Sequence, residues 1–271
     1  MTKSSRNRQS DWRISKQLGL LFIVMSLALG CYEKQEGCLD IAATNFEVEA
    51  DRECDNCCSY PSLQVTFAHR VRSVQQDTFF NLNLGDSLYT LNGIDFFRFS
   101  DIRFYISDFQ LIQSDGTALT TSDQIELTLF ENGDTLTQNV TDDFAFVSRT
   151  NLSPTTIGTI RPEGDFSGIR FKIGVTTPAN HADPTAFPNT HPLAEENDLH
   201  WSIDSGYVFN RIALFRDTVA SDTIPTVLEI GTDELVRTVE LDYPFPLKIG
   251  FNATVALQID YLAWFRAVDI R

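Results

Sequence analysis

The chain has 271 residues, 42% of them hydrophobic and 21 of them phenylalanine, enough apolar material for a substantial core. Its 21 basic and 37 acidic side chains leave a net charge of −16, which repels polyphosphate and anionic lipid. That balance argues against a nucleic-acid partner and makes cations the natural small ligands.

Residues 1–30 read as a leader. Lys3, Arg6, Arg8, Arg13 and Lys16 form a basic region, Leu18 to Leu29 an apolar one, and the segment ALGC ends at Cys31. The apolar run is too short for a comfortable membrane span. Small residues directly before a cysteine look like a bacterial lipobox. Its processing would lipidate Cys31 and anchor the protein in the cell envelope, on the periplasmic side or at the outer-membrane surface. Ala28 stands where such boxes more often carry Leu, so an ordinary secretory signal stays open. The leader holds five basic residues and one acidic, a net of +4, so residues 31–271 carry −20.

Residues 31–61 form a cysteine-rich extension. Cys38, Cys54, Cys57 and Cys58 fall within 21 residues and no cysteine follows them, which in an exported protein predicts two disulfides. A direct Cys57–Cys58 bond strains the backbone, so Cys38 is expected to pair with one of that couple and Cys54 with the other. A Cys-x-x-Cys zinc or redox site is the competing reading. Asp40, Asn45, Asp51 and Asp55 thread the same segment, and GCLDIAATNF resembles short calcium-type repeats of secreted proteins. Bound calcium and simple solvation of the acidic groups are both open there.

From Ser62 the dominant period is two. Leu63, Val65, Phe67 and His69 alternate with Gln64, Thr66 and Ala68, and Ile169, Phe171, Ile173 and Val175 repeat the pattern. Further strands are predicted near 79–84, 96–99, 102–113, 124–130, 207–215, 226–230 and 235–241, with turns at SDGT (114–117) and ENGD (131–134). The longest is expected over about 247–261, with Ile249, Phe251, Ala253, Val255, Leu257 and Ile259 inward. Many short strands without amphipathic helices predict an all-β domain over 62–271, an antiparallel β-sandwich with long loops behind a disulfide-stapled extension.

Between Val175 and Tyr207 lies a connection of about thirty residues, long for a sandwich. Pro178, Pro184, Pro188 and Pro192 stiffen it, and it holds His181, His191 and His200. Three imidazoles on one loop could converge on a borderline metal ion, although their spacings of ten and nine residues match no tight zinc motif. His69 ends an apolar-facing strand, where it needs a hydrogen-bond partner or a metal. The expectation is that His69 and at least one loop histidine share a ligand. Structurally bonded histidines are the alternative.

No Gly-x-Ser-x-Gly, no His-Glu-x-x-His and no phosphate-binding glycine loop occurs, and no carboxylate pair is singled out, so catalysis is not expected. A surface adhesion or glycan-binding lipoprotein, with aromatics along a shallow groove, is the second functional reading.

The segments VTFAHRV, LNGIDFFRFSDIRFYISDFQLIQSDG, FSGIRFKIGV, NHADPTAFPNTHPL, HWSIDSGYVF and LKIGFNATVALQIDYLAWF, in this order over roughly 62–265, resemble the MbnP family. Its members are exported proteins first noted beside methanobactin operons and common as lipoproteins in Bacteroidetes. The resemblance implies copper held by histidines. It also implies a partner, a dihaem cytochrome-peroxidase-like enzyme of the MbnH type, that can oxidise a tryptophan to kynurenine. In copper-binding relatives that tryptophan lies two residues before a histidine ligand. Here Phe67 occupies the place before His69, which puts that route to copper in doubt. Trp201, beside His200, becomes the candidate for oxidation, with a packing role at the sandwich rim as its alternative. Trp264 reads as packing.

Overall fold

The computed structural model describes residues 32–73, 76–131, 134–161, 164–216 and 224–266, so the leader and Cys31 lie outside the described residues. The chain divides into two compact units, one drawn from residues up to Leu39 and from Glu47–Cys57, the other from Asp40–Phe46 and Cys58 onward.

In the first unit β1 (Glu36–Gly37) pairs in parallel with β2 (Arg52–Glu53). Asp51 accepts from the Tyr32 hydroxyl and, at 3.0 Å, from the Gln35 N–H. Cys54 is bonded to Cys57, and all four cysteines of the extension are in disulfides. The expected pairing of Cys54 with one of the vicinal couple is therefore what the structure has. Such staples compensate for the small apolar core of so short a segment.

The second unit begins with a turn in which Asp40 accepts from the Ala42 N–H and the Tyr60 hydroxyl, and Asn45 from the Ser59 N–H. These oxygens accept from backbone N–H groups and, at Asp40, from a tyrosine hydroxyl as well. Then come β3 (Ser62–Ser73), β4 (Thr78–Asn81), β5 (Tyr89–Thr90), β6 (Phe96–Gln113) and β7 (Ala118–Leu119). The hairpin β8 (Gln124–Glu131) and β9 (Asp134–Thr141) follows, then β10 (Ala145–Ser148), β11 (Thr155–Thr159) and β12 (Asp165–Ile173). After the long loop run β13 (His200–Ser202), β14 (Gly206–Phe215), β15 (Thr226–Gly231), β16 (Arg237–Pro246) and β17 (Ala253–Asp260).

Among the described residues nine strands form the large sheet, on the path β13-β14-β6-β12-β16, and four form the small one, on the path β11-β3-β17 with β4 beside β3. The two pack face to face over Leu63, Val65, Phe99, Phe104, Ile169, Ile212 and Val255, all buried. This is the expected sandwich, all-β and mostly antiparallel. One inner pairing departs from the expectation: β17 runs parallel to β3, from Ala253 opposite Leu63 to Asp260 opposite Arg70.

Two predicted strands, 96–99 and 102–113, are one strand of 18 residues. Its core-facing side chains are Phe97 and Phe99, then Ile102, Phe104 and Ile106, then Phe109 and Leu111. The parity therefore changes twice, where the ladder to β14 skips Ser100 and where the ladder to β12 skips Asp108 and Phe109. A bulge inserts a residue and flips the faces, so the alternation breaks while the strand continues. At the second bulge Asp108 has φ +52, and the buried Asp143 accepts the N–H of Asp108 at 3.0 Å and of Phe109 at 2.9 Å. The strand predicted over 247–261 is shorter. It begins at Ala253, because Gly250 takes φ +76 in a turn closed by the Phe251 N–H to the Lys248 carbonyl. Ile249 and Phe251, expected inward, are 39% and 65% exposed, while Val255 and Leu257 are buried.

The outer face of the large sheet is also covered. Tyr105, Tyr207, Val208 and Phe209 point outward and meet Ala179, Ala182, Phe187, Leu193, Ala194 and Leu199 of the long loop and Leu127 of β8. Three short 3-10 turns, Ala179–His181, Pro184–Ala186 and Glu195–Asn197, keep the loop close to the sheet, and the Thr177–Pro178 peptide at its start is cis. The loop is a layer of the fold, which accounts for its length.

Candidate metal centre

The four histidines fall on opposite faces of the large sheet. His69, 5% exposed, lies with the side chains between the sheets. Its Nδ1 is 2.6 Å from the Tyr261 hydroxyl, and its ring stacks on the Tyr261 ring. Its Nε2 is buried and has no hydrogen-bond partner. Burial first, and the Arg149 cation second, push its pKa down to about 4, so the ring is neutral at pH 7. The loop histidines pack on the other side, against the outward-facing layer. The expected sharing of a ligand between His69 and a loop histidine is not what the fold builds, because the sheet lies between them.

His191 is fully engaged. Its ring stacks on Phe187 at 4.6 Å, its Nδ1 accepts the Leu193 N–H at 3.1 Å, and its Nε2 is 3.1 Å from Asp142 Oδ1. Acceptance at Nδ1 puts the proton on Nε2, which donates to Asp142, so neither nitrogen offers a lone pair.

His181 and His200 lie at the two ends of the loop. The pKa of His200 is lowered, by burial first, against the opposing pull of Asp183 and Glu195. His200 opens β13 with its ring edge-on to Tyr207 at 4.8 Å, and its Nε2 is buried without a partner. His181 ends the first 3-10 turn of the loop, with Nε2 3.5 Å from Asp233 Oδ2. Burial opposes ionisation of Asp233, but hydrogen bonds from Thr177, Asn180 and His181 outweigh it and hold its pKa below the ordinary value.

His181 and Asp233 line an open cleft of about 490 Å³ together with Trp201, Asp204 and Glu234. Trp201 is 43% exposed, its Nε1 donates to Glu229 at 2.9 Å, and its ring covers Gly231, where a Cβ would lie 2.5 Å from it. The sequence-derived candidates His181 and Trp201 thus share one acidic cleft. Tyr261, Asp142 and Asp233 were not legible as partners of His69, His191 and His181, because each lies about fifty residues or more away along the chain.

Among the described residues no group of three or more His, Cys, Asp and Glu side chains is arranged to hold a metal ion. What the loop offers is His200, with an orphaned ring nitrogen and with Asp183 and Glu195 acting on it, and His181 beside Asp233. Imidazole suits copper, and nearby carboxylates favour a cation.

The comparisons with known proteins complete this description. A structure search finds a similarity to MbnP from Methylosinus trichosporium at 13% identity, covering 68% of this chain and 70% of that one with a TM-score of 0.37. No curated protein matches the chain. The MbnP family model matches residues 60–271, and the chain belongs to the MbnP family.

Proposed function

We propose that this chain is an exported, non-catalytic protein that binds copper through His181 and His200. The observation that carries the reading is the buried, unpartnered Nε2 of His200, on the loop that also carries His181 and near the charges of Asp183 and Glu195. A lowered pKa favours the neutral ring at neutral pH, the form that metal ligation requires. Asp183 and Glu195 supply negative charge near His200, whereas Arg149 places a cation near His69. Of the two orphaned imidazoles the loop one is electrostatically suited to a metal ion.

The family resemblance supplies the rest of the proposal. Anchoring through a lipid on Cys31 places the protein in the cell envelope, and a dihaem cytochrome-peroxidase-like partner acts on Trp201, whose exposed indole lines the same cleft as His181.

Copper titration by calorimetry tests the metal reading. One saturable site is expected in the parent, weakened at least tenfold by His181→Ala or His200→Ala and unchanged by His191→Ala. Equal affinity in all variants, or no saturable uptake together with retention on glycan matrices, overturns it in favour of an adhesion protein. Peptide mass spectrometry after exposure to the partner enzyme reports on Trp201, and kynurenine elsewhere or nowhere removes that role.

A further inference from the structure

The sandwich leaves a second cavity that the metal reading does not use. On one flank the small and large sheets part, and about 260 Å³ of space opens between β3 and β17 on one side and β6, β12 and β16 on the other. Phe67, Phe104, Phe171 and Trp264 contribute rings to its wall, which Leu257 of β17 and Val239 of β16 also line. Trp264 is set edge-on to Phe104 at 5.5 Å and to Tyr261 at 5.1 Å, so this wall is fixed by packing on both sides.

Polar groups are few. Gln258 and Asp260 are the polar lining residues, and the Asp260 carboxylate is already engaged by the Arg72 N–H at 3.1 Å and by Arg266 at 3.6 Å. A charged ligand would find no uncommitted counter-charge here and would lose its hydration on entry. A neutral one with at most a single hydrogen-bonding group, for the exposed Gln258 amide, meets no such penalty. The opening reaches the surface at the exposed Leu241 and Gln258, so a ligand can enter while its apolar face meets the aromatic and branched side chains.

From the volume, the lining and the charge we infer that this cavity binds a small, neutral, flat hydrophobic molecule. An apolar cavity of about 150 Å³ accommodates benzene, so the present one takes about ten non-hydrogen atoms, a fused bicyclic ring. The site lies between the sheets, on the opposite side of the large sheet from His181 and His200, and it stands or falls independently of copper.

The probe is 1-aminonaphthalene, neutral at pH 7 and fluorescent in apolar surroundings, titrated into the full chain carrying Trp12→Phe and Trp201→Phe, which leaves Trp264 as its one tryptophan. One saturable site is expected, with energy transfer from Trp264 that disappears in Trp264→Phe while the probe's own fluorescence still rises. Val239→Trp, which fills the cavity from β16, should weaken binding at least tenfold. Leu241→Trp at the 39% exposed rim provides the same block should the first variant not fold. The anion 1-naphthalenesulfonate should bind at least tenfold more weakly than the amine. Absence of saturable binding, unchanged binding in the folded blocking variant, or equal affinity for the anion each overturns the proposal.

Discussion

His69 and Tyr261 lie face to face across the small sheet, their rings 5.7 Å apart and 2° from parallel, with Nδ1 of the one 2.6 Å from the hydroxyl oxygen of the other. The bond satisfies one of two buried ring nitrogens and leaves Nε2 without a partner. Tyr261→Phe leaves both unsatisfied. A loss of about 1–3 kcal/mol is expected in urea unfolding, with little loss in the His69→Phe, Tyr261→Phe double variant beyond its altered packing.

Acid should reveal two opposed groups. His69 is held at about 4, below its ordinary 6.5, so the stability it contributes is present above pH 6.5 and is lost as pH falls toward 4. Asp143 is raised by burial from 3.8 to about 6 against the pull of the Asp108 and Phe109 N–H groups, so its contribution is present below pH 3.8 and is lost as pH rises through 6. Each amounts to roughly 3 kcal/mol at most, and the two nearly cancel between pH 6.5 and 4. His69→Gln should therefore gain stability on acidification through that window, and Asp143→Asn should lose it more steeply than the parent. Chemical denaturation at a series of pH values measures both slopes.

Gly231 sits where a Cβ would come within 2.5 Å of the Tyr207 carbonyl and of the Trp201 ring. The backbone oxygen cannot yield, so Gly231→Ala should lower stability by about 1–3 kcal/mol and shift the Trp201 emission as the ring leaves its seat.

Along the last strand and its approach, burial sets the outcome. Val255→Ala, at a fully buried position, should cost about 2 kcal/mol, and Phe251→Ser, at a position 65% exposed, no more than about 0.5 kcal/mol. Equal losses would mean that the alternation read over 247–261 continues inward after all.

His191 joins Phe187, Leu193 and Asp142 through its ring face and both nitrogens. Thermal unfolding of His191→Ala should show a loss of about 2 kcal/mol, because the Leu193 N–H and the Asp142 carboxylate lose their partner together.

The period of two made the sandwich legible wherever one face of a strand is buried, as at Leu63, Val65 and His69 or at Ile169 and Phe171. It failed at Ser100 and Asp108, where bulges reverse the faces inside one strand, and at Ile249, where alternation runs on through a turn. The histidine loop was recognisable by its length and prolines, but its role as a layer over Tyr105 and Tyr207 was not, since nothing in β6 or β14 marks which of two buried faces a loop will cover. Chain proximity suggested one site from four histidines. Which side of a sheet each lies on is a property of topology, and no spacing carries it.

The parallel pairing of β17 with β3 has a consequence for the order of events during synthesis. The Ser62 N–H binds the Asn252 side chain at 2.9 Å across a separation of 190 residues, and the ladder beside it joins Leu63 to Ala253. Until residues 253–260 have left the ribosome, β3 waits with one flank unpaired, and an unpaired strand flank is a template for other chains. Closure of the small sheet is therefore a late, slow step of folding, as expected when distant segments must meet. A nascent chain stopped before 253 is the form of this protein that needs a chaperone.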